Sequence, residues 1–224
     1  MSAGLHTFAV IFDMDGVILD SERIYQEIER EMYAELGIPV SREEHLRFMG
    51  TAEKAMWGYM RRRYRLKPTL EELIREERER FTTRLELPGS IPLMDGIRPL
   101  LRSIRTEHIP CWIASSSSRE IIRKVLRIHR LGSYFLGTVS GEDVRRSKPA
   151  PDIFLKTAEL AGFNPSRCLV IEDSENGVRA ARAAGMKVIA LDRLQDLPLN
   201  LSEANSTVKS LSEISPALLH KLAG

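Results

Sequence analysis

Five consecutive apolar residues, Phe8-Ala9-Val10-Ile11-Phe12, have the length and continuity of a fully buried β-strand. The pattern then changes: from Ser21 to about Leu87 it is helical, with no convincing strand. Residues 22–36 predict a helix stopped by Gly37, with Pro39 just beyond. Ser41 with Glu44, and Thr69 with Glu72, have capping-box spacing; the second opens a highly charged helix running toward Leu85. Pro88, Gly89 and Pro92 mark a change of regime. From Leu93 onward the two periods alternate. Helices are expected over 96–105, 119–129, 151–161 and 176–184, and strands over 111–114, 138–140, 168–171 and 187–191. Such alternation predicts an α/β fold, a Rossmann-like doubly wound and mostly parallel sheet with helices on both faces. The helical stretch interrupts it right after the first strand. The expected organisation is a discontinuous core, residues 1–20 and 90–224, with a small helical cap domain of residues 21–89 inserted.

Ligands of parallel sheets bind beyond the carboxyl ends of the strands, so those ends are where chemistry is sought. The first strand runs into Asp13-Met14-Asp15-Gly16. Gly16 lets the chain turn at once, gathering two acids that a continuing strand would send to opposite sides. Two like charges that close need a cation or a shared proton. The later strands lead to Ser115-Ser116-Ser117-Ser118, to Lys148-Pro149 and to Glu172-Asp173-Ser174. Each has an ordinary structural account: an Asp-Gly turn, a helix N-cap, a surface lysine, acids at a helix N-terminus. All four at one sheet edge are harder to dismiss, and together they have the parts for phosphoryl transfer, which demands positioning and charge neutralisation. Asp13 is the candidate nucleophile, forming an aspartyl-phosphate. Asp15 would protonate the leaving alcohol and then activate the hydrolytic water. Mg²⁺ takes oxygen ligands, which Asp13, the carbonyl of Asp15 and Asp173 could supply, with Glu172 ligating directly or through water. Lys148 would balance the negative charge. Ser115, with Ser116 and the backbone N–H groups beside it, would hold the non-transferring oxygens.

Composition narrows the partners. In 224 residues, 43% hydrophobic and 29% charged, a formal net charge of +2 gives no reason to invoke nucleic acid or a membrane surface. The basic run Arg61-Arg62-Arg63-Tyr64-Arg65-Leu66-Lys67 reads as a solvated helix end. Cys111 and Cys168 lie in apolar runs and read as small core residues. No secretory signal is recognisable, and a cytoplasmic monomer is expected. The five histidines are scattered, without metal-ligand spacing.

The segments Phe12-Asp13-Met14-Asp15-Gly16-Val17-Ile18-Leu19-Asp20-Ser21-Glu22, Ala114-Ser115-Ser116-Ser117, Ser147-Lys148-Pro149-Ala150-Pro151-Asp152-Ile153-Phe154 and Ile171-Glu172-Asp173-Ser174 with Asn176-Gly177-Val178 come in a telling order. They resemble the haloacid dehalogenase-like hydrolase superfamily, in its group of β-phosphoglucomutase-like and sugar-phosphate phosphatases with a helical cap. The resemblance spans nearly the whole chain. It implies a Mg²⁺-dependent phosphatase acting on a small phosphorylated metabolite, with Asp13, Asp15, Ser115, Lys148 and Asp173 in the roles given above. The segment from Phe48 to Lys54 resembles the family's cap specificity loop, so Gly50, Thr51, Glu53 and Lys54 are expected at the substrate, as is Tyr25. The mutase branch carries an arginine where Glu53 stands and a histidine where Tyr25 stands, which favours a phosphatase over a phosphomutase. A phosphometabolite-binding protein without activity is the non-enzyme alternative.

Overall fold

The computed structural model describes residues 7–48, 51–192 and 199–224. Six strands, β1 (Ala9–Phe12), β2 (Cys111–Ser115), β3 (Gly137–Ser140), β4 (Cys168–Glu172), β5 (Lys187–Leu191) and β6 (Ser206–Val208), form one sheet in the order β3-β2-β1-β4-β5-β6. Every neighbouring pair is parallel. β1 sits at its centre, where the chain order reverses. Phe12 pairs with Ile113 on one side and Ile171 on the other, which sets the end of β1 level with the ends of β2 and β4. Side chains alternate across the sheet: Val10 and Phe12 enter one apolar layer, and Ile11 enters the other.

Four helices precede the second strand's own helix: α1 (Glu22–Glu35), α2 (Arg42–Leu46), α3 (Glu53–Tyr64) and α4 (Leu70–Glu86). The remainder are α5 (Ile97–Thr106), α6 (Arg119–Ile128), α7 (Asp152–Ala161), α8 (Glu175–Ala183) and α9 (Pro216–Ala223). In α5 the buried residues Ile97, Leu100, Leu101 and Ile104 fall at helical spacing, so one stripe covers the sheet. Each such side chain contributes roughly 1.5–3 kcal/mol of burial. Residues of α5, α6 and α9 belong to one layer, and residues of α7 and α8 to the other.

The first four helices pack on one another around Trp57, Phe81 and Met60, all fully buried. The chain reaches and leaves them through two adjacent extended segments. Asp20 donates its N–H to Pro92 O, Met94 donates to Ile18 O, and Leu19 bridges Leu93 antiparallel. Thr69 and Glu72 form the expected capping box. Ser41 accepts from Glu44 N, but the Glu44 carboxylate is drawn to the Tyr64 hydroxyl at 2.6 Å and to Arg63 at 2.8 Å, so that box is only half made. The basic run ends α3, where Arg65 is the C-cap with φ +52°.

Two elements beyond residue 191 carry no counterpart in the sequence reading. β6 is three residues long, too short for a period to register. α9 is short too, although Ser215 caps it and Pro216 occupies its first turn, a start signal that was there to be read.

Candidate active site

Asp13 lies immediately after β1, its N–H bonded to Ile171 O at 3.0 Å. Lys148 reaches it from beneath. Its Nζ donates to Asp13 Oδ1 at 2.5 Å and to Glu172 Oε1 at 2.7 Å, and all three residues are buried. Burial alone would push the Lys148 ammonium toward losing its proton, but Asp13 and Glu172 together outweigh it and raise its pKa. Asp13 is pushed up to about 7, mainly by burial, with Lys148 opposing and Glu172 and Asp15 adding to the rise. The other oxygen of Glu172 accepts from Asp173 N at 2.7 Å, Ser174 N at 2.8 Å and Ser174 Oγ at 3.0 Å. Helix α8 approaches so closely that a Cβ on Gly177 would stand 1.7 Å from Glu172 Oε1.

Gly16, at φ +79°, makes the turn that its position suggests, and its N–H donates to Leu19 O at 2.8 Å. Ile18 and Leu19 donate back to Met14 O, closing a tight loop around Asp15. Asp15 accepts from Ser21 Oγ at 2.7 Å and from Ser117 Oγ at 2.7 Å, with Ser115 Oγ at 3.4 Å. Burial raises its pKa against these hydroxyls, which is the condition for carrying a proton that can be given away.

Above these groups the first four helices close a cavity of about 100 Å³. Asp13, Asp15, Ser116, Ser117, Asp173 and Ser174 line its floor. Its roof is made by Glu22, Tyr25 and Glu29 of α1, His45 of α2, Glu53 and Met56 of α3 and Glu77 of α4, with Phe48 and Thr51 between. Tyr25 stacks on Phe81 with centroids 4.2 Å apart and an interplanar angle of 9°. Arg78 binds Glu53 through Nε, 3.0 Å from both oxygens, and through Nη2 at 2.8 Å. Its Nη1 then crosses to Glu142 of the core at 2.9 Å. Glu77 Oε2 accepts from Trp57 Nε1 at 2.9 Å, and Glu29 Oε2 lies 2.9 Å from His45 Nδ1. Burial raises Glu29 to about 8 and Glu77 well above the usual carboxyl range, and each carboxyl acts on the other's titration. His45 is lowered by burial.

Of the residues expected at the site, Asp13, Asp15, Asp173, Ser116, Tyr25, Thr51 and Glu53 line this cavity. Ser115 stands behind it, fully buried, its oxygen taking the Ser117 N–H at 3.1 Å. Lys148 does not line the cavity and touches Asp13, which does. Glu172, expected at the metal directly or through water, accepts from Lys148 with one oxygen and from the turn that follows with the other. Lys54, expected at the substrate, lines an outer groove with Leu70, Arg75 and Glu120. Thr51 spends its hydroxyl on Phe48 O at 2.6 Å, and Ala52 occupies the N-cap of α3 without a side-chain bond. Gly50 lies outside the described residues. Sequence reasoning missed Ser21, Ser117, Glu29, His45 and Glu77. Glu22 and Glu29 are seven residues apart, a one-face spacing that could have suggested a shared target.

Among the described residues no group of three His, Cys, Asp or Glu forms a ready-made metal cluster. Asp13 and Asp173 nonetheless bring hard oxygen donors to one cavity floor, beside Asp15 and with a single buried ammonium to balance them. That donor set suits Mg²⁺, which keeps waters and substrate oxygens in its shell and rarely uses an all-protein cage.

Residues 10–191 match the family model described as haloacid dehalogenase-like hydrolase. A protein from Drosophila melanogaster named "Probable pseudouridine-5'-phosphatase" is 34% identical over 92% of this chain and 90% of its own. "Phosphorylated carbohydrates phosphatase" of Thermotoga maritima is 34% identical over 81% of this chain and 83% of its own. The crystal structure of CbbY from Rhodobacter sphaeroides in complex with phosphate superposes with a TM-score of 0.84 at 26% identity, covering 96% of this chain and 99% of that one.

Proposed function

The chain belongs to the haloacid dehalogenase-like hydrolase family, and we propose that it is a phosphatase for a small sugar or polyol phosphate, with Asp13 as its nucleophile. The observation that carries the reading is Lys148 Nζ at 2.5 Å from Asp13 Oδ1, in a floor that also holds Asp15, Asp173 and the serine loop. A lysine buried at that distance favours the ionised carboxylate against the effect of burial and fixes its position.

In this reading the Asp13 carboxylate attacks phosphorus and the bond to the leaving alkoxide breaks. Asp15, its pKa raised by burial and its carboxyl aligned by Ser21 and Ser117, gives a proton to that alkoxide. The same carboxylate then takes a proton from the water that hydrolyses the Asp13 phosphoester. Ser116 and the amides of the serine loop hold the non-transferring oxygens, and Lys148 offsets their charge. Asp13, the Asp15 carbonyl and Asp173 would hold Mg²⁺, which supplies neutralisation of phosphoryl charge. The core of residues 1–20 and 90–224 and the cap of 21–89 belong to the same reading, the cap closing to exclude water from the phosphoenzyme. The names of the Thermotoga relative and of "Hexitol phosphatase B" from Escherichia coli support the substrate class, and both proteins align over most of their length.

The test is phosphate release from p-nitrophenyl phosphate and a panel of phosphosugars and polyol phosphates, with and without Mg²⁺. Turnover that needs the cation and disappears in Asp13→Asn is the expected result. Unchanged activity in that variant would overturn the mechanism.

A further inference from the structure

The roof of the cavity is chemically unlike its floor. Glu22, Glu29, Glu53 and Glu77 all line it, and among the described residues lining the cavity there is no lysine or arginine. Arg78, whose guanidinium binds a roof acid directly, is spent on Glu53 and Glu142. Glu29 and Glu77 are only 7% and 2% exposed and line the same cavity, yet neither has a lysine or arginine as its hydrogen-bond partner: Glu77 takes the Trp57 indole N–H and Glu29 faces His45. If the cap needed only stability here, apolar side chains of similar volume would serve as well or better. Two acids held at this depth, opening on the space above the nucleophile, have a use in recognition.

We propose that Glu29 and Glu77 determine specificity for the leaving group: sharing a proton, they read the hydroxyls of an uncharged polyol or sugar, and with Glu22 and Glu53 they exclude leaving groups bearing a second phosphate or a carboxylate. This rests on the phosphatase reading above and refines its substrate. A carboxyl pair holding one proton offers one donor and several acceptor sites on adjacent oxygens. Neighbouring hydroxyls, each donor and acceptor at once, match that pattern; an anionic group meets lone pairs and negative charge. The rest of the roof agrees. Phe48, Met56 and Tyr25 give apolar surface for the C–H edges of the same molecule.

The experiment uses the full chain with Mg²⁺ and compares kcat/KM for a polyol monophosphate, phenyl phosphate (whose leaving group carries no further hydroxyl), a sugar bisphosphate and phosphoglycolate. Wild type is expected to favour the polyol monophosphate at least tenfold over the bisphosphate and over phosphoglycolate. In Glu29→Gln and in Glu77→Gln the ratio of polyol to phenyl phosphate kcat/KM should fall at least tenfold, mainly through KM for the polyol. Circular dichroism and melting scans confirm that each variant is folded. An unchanged ratio in both folded variants would overturn the proposal, and so would wild-type hydrolysis of the bisphosphate as efficiently as the monophosphate. The second comparison is read on wild type and does not depend on the variants folding. Absence of any turnover, phenyl phosphate included, would instead remove the phosphatase reading itself.

Discussion

The floor and the roof of one cavity solve the problem of buried charge in opposite ways. On the floor each carboxylate has a dedicated partner: Lys148 serves Asp13 and Glu172, and serine hydroxyls serve Asp15. In the roof Glu29 and Glu77 are buried to a similar depth, and protons take the place of counter-ions. The floor's acids are therefore tied to fixed partners. The roof can change its charge state with pH and with what it binds. Chemistry that must not vary is placed where partners are fixed, and recognition is placed where they are exchangeable.

The largest expected effect is on the floor. Asp13→Asn should reduce kcat by about 10⁴-fold or more, as loss of a nucleophile does, measured by phosphate release. Asp15→Asn should cost about 10²–10⁴-fold, the range for a lost general acid and base, and most with poor leaving groups, so a comparison of alkyl and aryl phosphates checks it. Lys148→Met leaves Glu172 buried without a counter-charge. It should lower stability by about 3–5 kcal/mol, seen as a drop in the urea midpoint. A loss under about 1 kcal/mol would mean that Glu172 does not depend on Lys148 as its partner.

The roof should behave differently. Glu29 has a folded pKa of about 8, above the 4.5 of the unfolded chain, so its stabilisation is complete below about pH 4.5 and is lost as pH rises through 8. At about 1.4 kcal/mol per pKa unit this amounts to a few kcal/mol. Melting without divalent cations should show Tm falling from pH 5 to pH 8, and a flatter profile in Glu29→Gln. Equal slopes would erase the contrast between the halves. The smallest effect is expected for the bridge from roof to core. Arg78 and Glu142 are both about one-third exposed, which puts their coupling at roughly 0–1 kcal/mol. A double-mutant cycle at low and high salt reads it.

Legibility followed the same division. The floor is built from residues adjacent in sequence at strand ends, so Asp13, Asp15, Lys148 and Asp173 stood out, because polar groups after apolar runs are conspicuous. The roof draws its acids from three helices, α1, α3 and α4, each already rich in charge. Glu29 in α1 and Glu77 in α4 looked like solvated faces because nothing local distinguishes a glutamate that points inward. His45 was set aside for want of a metal-ligand spacing. Ser21 was readable as a helix cap, and its hydroxyl went to Asp15 instead, a choice made by the fold of the loop and invisible in the residue itself. Glu172 was legible as a site residue and its task was not, since only the approach of α8 at Gly177 turns it toward Lys148.

The paired crossing at Leu19 and Leu93 bears on how the chain can be cut and rejoined. The ends of the helical insertion are already neighbours, joined by backbone hydrogen bonds on either side of one bridge. Closing a loop costs entropy according to the distance its ends must be brought together, and here that distance is nearly nothing. A short linker from residue 20 to residue 92 would span the gap without disturbing the sheet, whereas a cut elsewhere would leave ends to be reunited. Helical modules of other sizes could be spliced at the same seam, provided that a hydroxyl is kept where Ser21 meets Asp15.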